Sequence, residues 1–152
     1  KSDLPHSPDP YGKDELEAVI GALVPSFEVV GLRFEGGVPS AGYRTIADGG
    51  LNVATILGPD VADWDTKKIG AHTVHLNVNG THVATGKPAD LIWEQLIDAI
   101  GWLAKHPHLA ERGLRAGDLI MTGSMTGMTP IQPGDQAEAD FGAFGKIHVQ
   151  FT

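Results

Sequence analysis

The stretch Thr73-Val74-His75-Leu76-Asn77-Val78-Asn79-Gly80-Thr81-His82-Val83-Ala84-Thr85 decides the fold class. Two alternating runs, Thr73 to Val78 and His82 to Thr85, flank an Asn-Gly pair. That pair tolerates left-handed backbone geometry and closes a tight hairpin. Downstream, Asp90 to Lys105 places Leu91, Ile92, Leu96, Ile97, Ile100 and Leu103 at helical spacing, an amphipathic helix of about four turns. Leu109 to Arg112 adds a further turn. Strands follow over Asp118 to Thr122, Gln136 to Phe141 and Lys146 to Phe151, punctuated by Pro133-Gly134-Asp135 and by Gly142 to Gly145. Upstream, Leu51 to Leu57 and Phe27 to Phe34 read as strands. Lys13 to Val24 reads as a helix stopped by Pro25. Gly36 to Gly50 reads as a long loop. Strands dominate and one long helix packs on them, so the expectation is an α+β domain with a rolled antiparallel or mixed sheet. Lys1 to Gly12, holding Pro5, Pro8 and Pro10, is an extended lead-in segment; residues 13–152 form the domain.

The totals fit a single core. The chain has 152 residues, 41% hydrophobic and 20% charged, an ordinary globular balance. Its formal net charge of −8, with no cluster of Lys and Arg, argues against a nucleic-acid partner. Cysteine is absent, which removes disulfides, thiolate zinc sites and Cys nucleophiles and is compatible with a cytoplasmic protein. No apolar run approaches the roughly 20 residues of a membrane span, so no membrane association is expected. The first residue is Lys1 and not Met, which suggests a processed, trimmed or divided chain.

Among the candidate chemical groups, Glu28 stands out. It sits in the apolar run Phe27-Glu28-Val29-Val30. A carboxylate on a buried strand face is costly unless paired or bound to a metal. It is a hard oxygen ligand for Mg²⁺ or Mn²⁺, or it turns out to solvent, or it pairs with Arg33. Asp48 lies in the glycine-flanked stretch Ala47-Asp48-Gly49-Gly50 and reads as a turn residue. The segment Met121-Thr122-Gly123-Ser124-Met125-Thr126-Gly127 combines hydroxyls and glycines. It is either a polar turn or a loop that approaches an anionic ligand. The histidines show no HExxH-like spacing.

These positions also carry a family resemblance. In order they are Pro25-Ser26-Phe27-Glu28-Val29-Val30 with Arg33, Ile46-Ala47-Asp48, Leu57-Gly58, Val78-Asn79-Gly80, Ala84-Thr85-Gly86 and Trp102-Leu103-Ala104. Leu114-Arg115-Ala116-Gly117-Asp118, Thr122 to Gly127, Pro133-Gly134-Asp135 and Phe141-Gly142 complete the series. From about Tyr11 onward the chain resembles the C-terminal part of the 2-keto-4-pentenoate hydratases and 4-oxalocrotonate decarboxylases of the fumarylacetoacetate hydrolase superfamily. The resemblance implies a mixed β-roll and a Mg²⁺ or Mn²⁺ ion held by three carboxylates, the third matching Glu28. It implies a small-molecule 2-keto or 2-hydroxydienoate acid as substrate, from aromatic or steroid catabolism, and a homo-oligomer. The metal would act as a Lewis acid while water adds to the remote double bond. Asp48 and Ser124 match catalytic positions; Arg33 and Thr126 match substrate-binding ones.

The chain departs from the family pattern at Gly31-Leu32, where many relatives carry Asp-Ser, and at Gly49, where many carry Asn. The Glu-x-Glu pair and the N-terminal lysine of the family are also missing. The resemblance therefore implies an enzyme completed by an N-terminal portion, as a separate chain or missing segment. The leading expectation is a hydratase. Decarboxylation or acylpyruvate hydrolysis on the same scaffold is the alternative, and a non-catalytic scaffold subunit is the rival of a different class.

Overall fold

The computed structural model describes residues 1–35, 37, 42–65, 69–88 and 96–152. The Asn79-Gly80 expectation holds: Asn79 has φ 51° and Gly80 φ 75°, the paired left-handed geometry of a type I′ turn. The turn joins β3 (Val74–Val78) to β4 (Thr81–Gly86), which pair antiparallel. Asn79 does more than turn the chain. Its backbone N–H donates to the Gln136 carbonyl, its side-chain amide donates to Asp135 at 2.7 Å, and its side-chain oxygen accepts from the Gln136 N–H. The hairpin tip is thereby tied to the start of β5 (Gln136–Asp140), and β6 (Lys146–Gln150) follows. The sheet order is β4-β3-β5-β6, antiparallel throughout. Val74, Leu76, Ala137, Ala139 and Ile147 are its buried apolar side chains, as period-two alternation requires.

A separate two-stranded sheet pairs β1 (Ser26–Val30) with β2 (Asn52–Leu57), again antiparallel, with an irregularity between Val29 and Val30. Of the antiparallel and mixed sheets expected, the antiparallel form is the one present among the described residues, as two separate sheets. α1 (Lys13–Val19) begins where the Glu15 carboxylate accepts the Gly12 N–H at 2.7 Å. It packs Leu16 against Ile97 and Ala104 of α3 (Leu96–Ala104), with Leu4 and Leu114 completing the cluster. The lead-in residues are held as well: Leu4 exchanges backbone hydrogen bonds with Leu114.

Several boundaries differ from expectation. α1 ends at Val19, not at Pro25. Ile20 is already extended, and Leu23 instead bridges to Val61. β1 stops at Val30 rather than Phe34, one further backbone bond running from the Gly31 N–H to the Leu51 carbonyl before the chain reaches Arg33. The expected loop Gly36 to Gly50 contains α2 (Gly42–Ala47); Gly36 and residues 38–41 lie outside the described residues. Asp118 to Thr122 has no strand partner among the described residues: it runs as irregular chain along a cleft. The first part of the expected helix from Asp90 lies outside the described residues. The extra turn near Leu109 forms as a 3₁₀ turn over Pro107–Leu109.

Candidate functional site

β1 and β2 bring Glu28 opposite Thr55. Glu28 is exposed, so the outward-facing carboxylate left open by the sequence is the one the strand presents. A two-stranded ribbon has one face open, and Glu28 alternates onto that face while Phe27 and Val29 turn the other way. Its Oε1 accepts from the Asn52 Nδ2 at 2.9 Å. The same Nδ2 lies 3.4 Å from the Thr55 hydroxyl, which contacts the Met121 sulfur at 3.5 Å. Asn52, Thr55 and Met121 therefore connect Glu28 to the segment after Asp118. The sequence did not single out Asn52 or Thr55, because their partnership with Glu28 and Met121 is created by strand register and a long-range approach.

Glu28, Ser124 and Thr126 line one open cleft of about 1040 Å³. The Ser124 hydroxyl donates to the Gly127 carbonyl at 3.0 Å, closing a loop in which Gly123 and Gly127 both have positive φ. The loop is seated on the end of β4. A Cβ at Gly86 would run into the Met125 backbone carbonyl, so only glycine permits this approach.

Asp48 and Arg33 are brought together and stand apart from the residues lining that cleft. Asp48 is 2% exposed. Its Oδ1 accepts the Arg33 backbone N–H at 3.1 Å, and its backbone carbonyl accepts from the Arg33 guanidinium. Its Oδ2 lies 3.6 Å from Arg33 Nη1 and has no hydrogen-bond partner. Arg33 Nη2 donates to the Asn52 carbonyl at 2.6 Å. Asp48 thus clamps Arg33, which clamps the residue that orients Glu28. The Arg33 pairing considered for Glu28 is made with Asp48 instead.

His72 also lines the cleft. Its ring meets Phe144 edge-on at 4.9 Å, and its buried Nε2 has no partner. Burial holds its pKa below the ordinary histidine value, against a smaller opposing pull from Asp140. On the outer sheet face, Lys146 bonds Asp140 at 2.8 Å and holds that carboxyl below its ordinary range, aided by the Gly142 N–H.

The donor set permits a limited statement about metals. Glu28 presents a hard carboxylate oxygen at a cleft edge, as a divalent cation requires. Among the described residues, no group of three or more His, Cys, Asp or Glu is placed to hold an ion. Glu28 therefore fits as a contributor to a metal site, and the described residues alone do not complete one. Among those residues no helix is long and apolar enough to cross a membrane.

Residues 12–152 match the fumarylacetoacetate (FAA) hydrolase C-terminal family. The chain belongs to that family. Similar members include a 2-keto-4-pentenoate hydratase of Paraburkholderia xenovorans (strain LB400), 28% identical over 93% of this chain and 52% of the relative. A 4-oxalocrotonate decarboxylase of Pseudomonas sp. (strain CF600) is 29% identical over 90% of this chain and 51% of the relative. Among solved structures, the 4-oxalocrotonate decarboxylase of Pseudomonas putida G7, complexed with calcium and acetate, superposes with a TM-score of 0.75. It is 26% identical and covers 99% of this chain and 56% of that one. The family domain spans about half the length of the curated relatives it matches. The match supports a fumarylacetoacetate hydrolase-like arrangement of helices and open antiparallel sheets.

Proposed function

We propose that this chain carries the substrate-facing half of a metal-dependent lyase that hydrates 2-keto-4-pentenoate-like or 2-hydroxydienoate acids. The observation that carries the reading is a Glu28 carboxylate on the same cleft as the Ser124–Thr126 loop, in a chain of this family. Glu28 would contribute one ligand to Mg²⁺ or Mn²⁺. The remaining ligands would come from a portion of the enzyme beyond these residues, consistent with the half-length match. When bound, the metal supplies Lewis-acid stabilisation of charge developing on the substrate's 2-oxygen.

The chain's own groups do the positioning. Asn52 fixes the Glu28 carboxylate by donating to Oε1. Ser124 exchanges its bond to the Gly127 carbonyl for one to a substrate oxygen, and Thr126 offers a second hydroxyl from the same loop. Backbone N–H groups of such a glycine loop favour an anionic carboxylate. Asp48 acts through Arg33 and Asn52, holding the strand pair in register behind Glu28. Decarboxylation is the second reading, favoured by the likeness to the P. putida G7 structure.

The test is Glu28→Gln, which keeps the shape and the Asn52 bond and removes the charge. In the enzyme containing this chain, Mg²⁺ affinity by calorimetry and turnover should both fall by on the order of 10- to 100-fold or more. Unchanged affinity and turnover would refute the assignment. Water addition measured against CO₂ release separates the hydratase from the decarboxylase.

A further inference from the structure

The outer face of the four-stranded sheet carries a cluster that takes no part in the cleft. His75 on β3 and His82 on β4 both reach the Thr85 hydroxyl, through His75 Nδ1 at 3.1 Å and His82 Nε2 at 3.0 Å. Two ring nitrogens therefore converge on one point. A hydroxyl has one proton to give, so it donates to one ring and accepts an N–H from the other. One nitrogen lone pair already faces the convergence point. The other ring presents its own once its proton moves to the far nitrogen.

Strand alternation alone would not build this cluster. His82 and Thr85 are three residues apart, and in a regular strand that spacing puts side chains on opposite faces. Between the Leu76–Ala84 and Asn77–His82 pairs, however, Val83 is an extra residue without a partner in the β3 register. This bulge returns His82 to the face that holds His75 and Thr85, which are themselves register partners. Asp140 is the register partner of His75 on β5 and adds a carboxylate, bonded to Lys146, on the same face.

The ring separation decides what the pair can hold. An ion bound tetrahedrally at about 2.0–2.1 Å from each nitrogen sets two imidazole centres roughly 5 Å apart. The His75 and His82 centres lie 5.7 Å apart with an interplanar angle of 61°. Both side chains are exposed, so small rotations within their rotamer wells close the difference. Imidazole nitrogen favours Zn²⁺ and its transition-metal neighbours, whereas Mg²⁺ and Ca²⁺ take oxygen.

We propose that His75 and His82 form a second metal site, selective for Zn²⁺ or an ion of the same ligand preference. The pair supplies two protein ligands, fewer than the groups of three that are absent among the described residues, and water completes the coordination. The site differs from the one assigned to Glu28 in ligand chemistry and in place, since neither histidine lines the cleft. Its ion clips β3 to the edge strand β4 beside Gly86, against which the Met125 backbone is seated.

The experiment titrates Zn²⁺ into this chain, ¹⁵N-labelled at histidine, in excess Mg²⁺ so that oxygen sites are already filled. The His75 Nδ1 and His82 Nε2 resonances should move first, ahead of every other histidine. By calorimetry, His75→Ala and His82→Ala should each weaken Zn²⁺ binding by on the order of tenfold or more. His148→Ala, on the same sheet face but paired with Glu138, should leave that affinity unchanged. Shifts led by another histidine, no shift at all, or an affinity indifferent to both His75→Ala and His82→Ala would overturn the site and leave a hydrogen-bonded surface pair. The resonance map is made on the unaltered chain, so it decides the question even if a variant is unstable.

Discussion

Gly86→Ala isolates the seating of the site loop on the sheet. Gly86 is buried at the end of β4, paired with Val74, and its φ is not in the left-handed region. The backbone conformation therefore accepts alanine, and only space opposes it. The added Cβ would overlap the Met125 carbonyl and lie 2.9 Å from the Met125 Cβ. The nearest obstruction is backbone, so no rotamer change relieves it; either the end of β4 or the loop must move. Overpacking of this kind costs about 1–3 kcal/mol. In a chain of this size each kcal/mol lowers Tm by about 2–4 °C. Gly70→Ala is the control, because nothing lies within 4 Å of its added Cβ, and it should stay within about 0.5 kcal/mol of the parent. Urea unfolding gives the energies, and the methyl resonance of Met125 reports the loop directly. If Gly86→Ala matched Gly70→Ala in stability and left the Met125 resonance in place, the argument that the loop is fixed by close approach to β4 would be wrong.

Gly80→Val should lower stability by about 1 kcal/mol or more, because a branched residue resists the φ of 75° at the hairpin tip; a gain in urea midpoint would contradict the turn's role. Asp48→Ala should cost about 2–3 kcal/mol, chiefly by leaving the Arg33 backbone N–H without its acceptor. The half-exposed guanidinium adds little. The same variant should weaken substrate binding through Arg33 and Asn52, and binding unaffected at that stability loss would remove the positioning role. His72 provides the pH test. Its folded pKa lies below the ordinary value of 6.5, so the unfolded chain takes up the proton first. Its contribution to stability is complete above about pH 6.5 and is lost as pH falls towards the folded pKa. His72→Phe should shallow the decline in urea midpoint below pH 6.5, and an unchanged pH slope would show that other groups control it.

The hairpin, the β5 and β6 strands and the apolar stripe of α1 and α3 were legible in the sequence, because each depends on local periodicity or on backbone preference. Asn79 and Gly80 needed only their own left-handed tolerance to declare the turn. The family series was legible too, since it is an ordered set of residue types, and it singled out Glu28, Asp48 and Ser124 before any contact was known. Tertiary structure decided what those residues touch. The sequence left Glu28 open between a metal ligand, a solvent-facing carboxylate and a partner of Arg33; one face of a two-stranded ribbon stays open, and only the packing of the ribbon shows that Glu28 lies on it. Asp48 read as a turn residue and stands in a turn just after α2, but only the fold buries it, with Arg33 returning from β1 to cover it. Asp118 to Thr122 had the composition of a strand and found no partner, since strand formation depends on an available edge as well as propensity. The relay from Glu28 through Asn52 and Thr55 to Met121 spans nearly a hundred residues. No local pattern encodes it: the β1–β2 register aligns its first members, and the fold brings the last one to them.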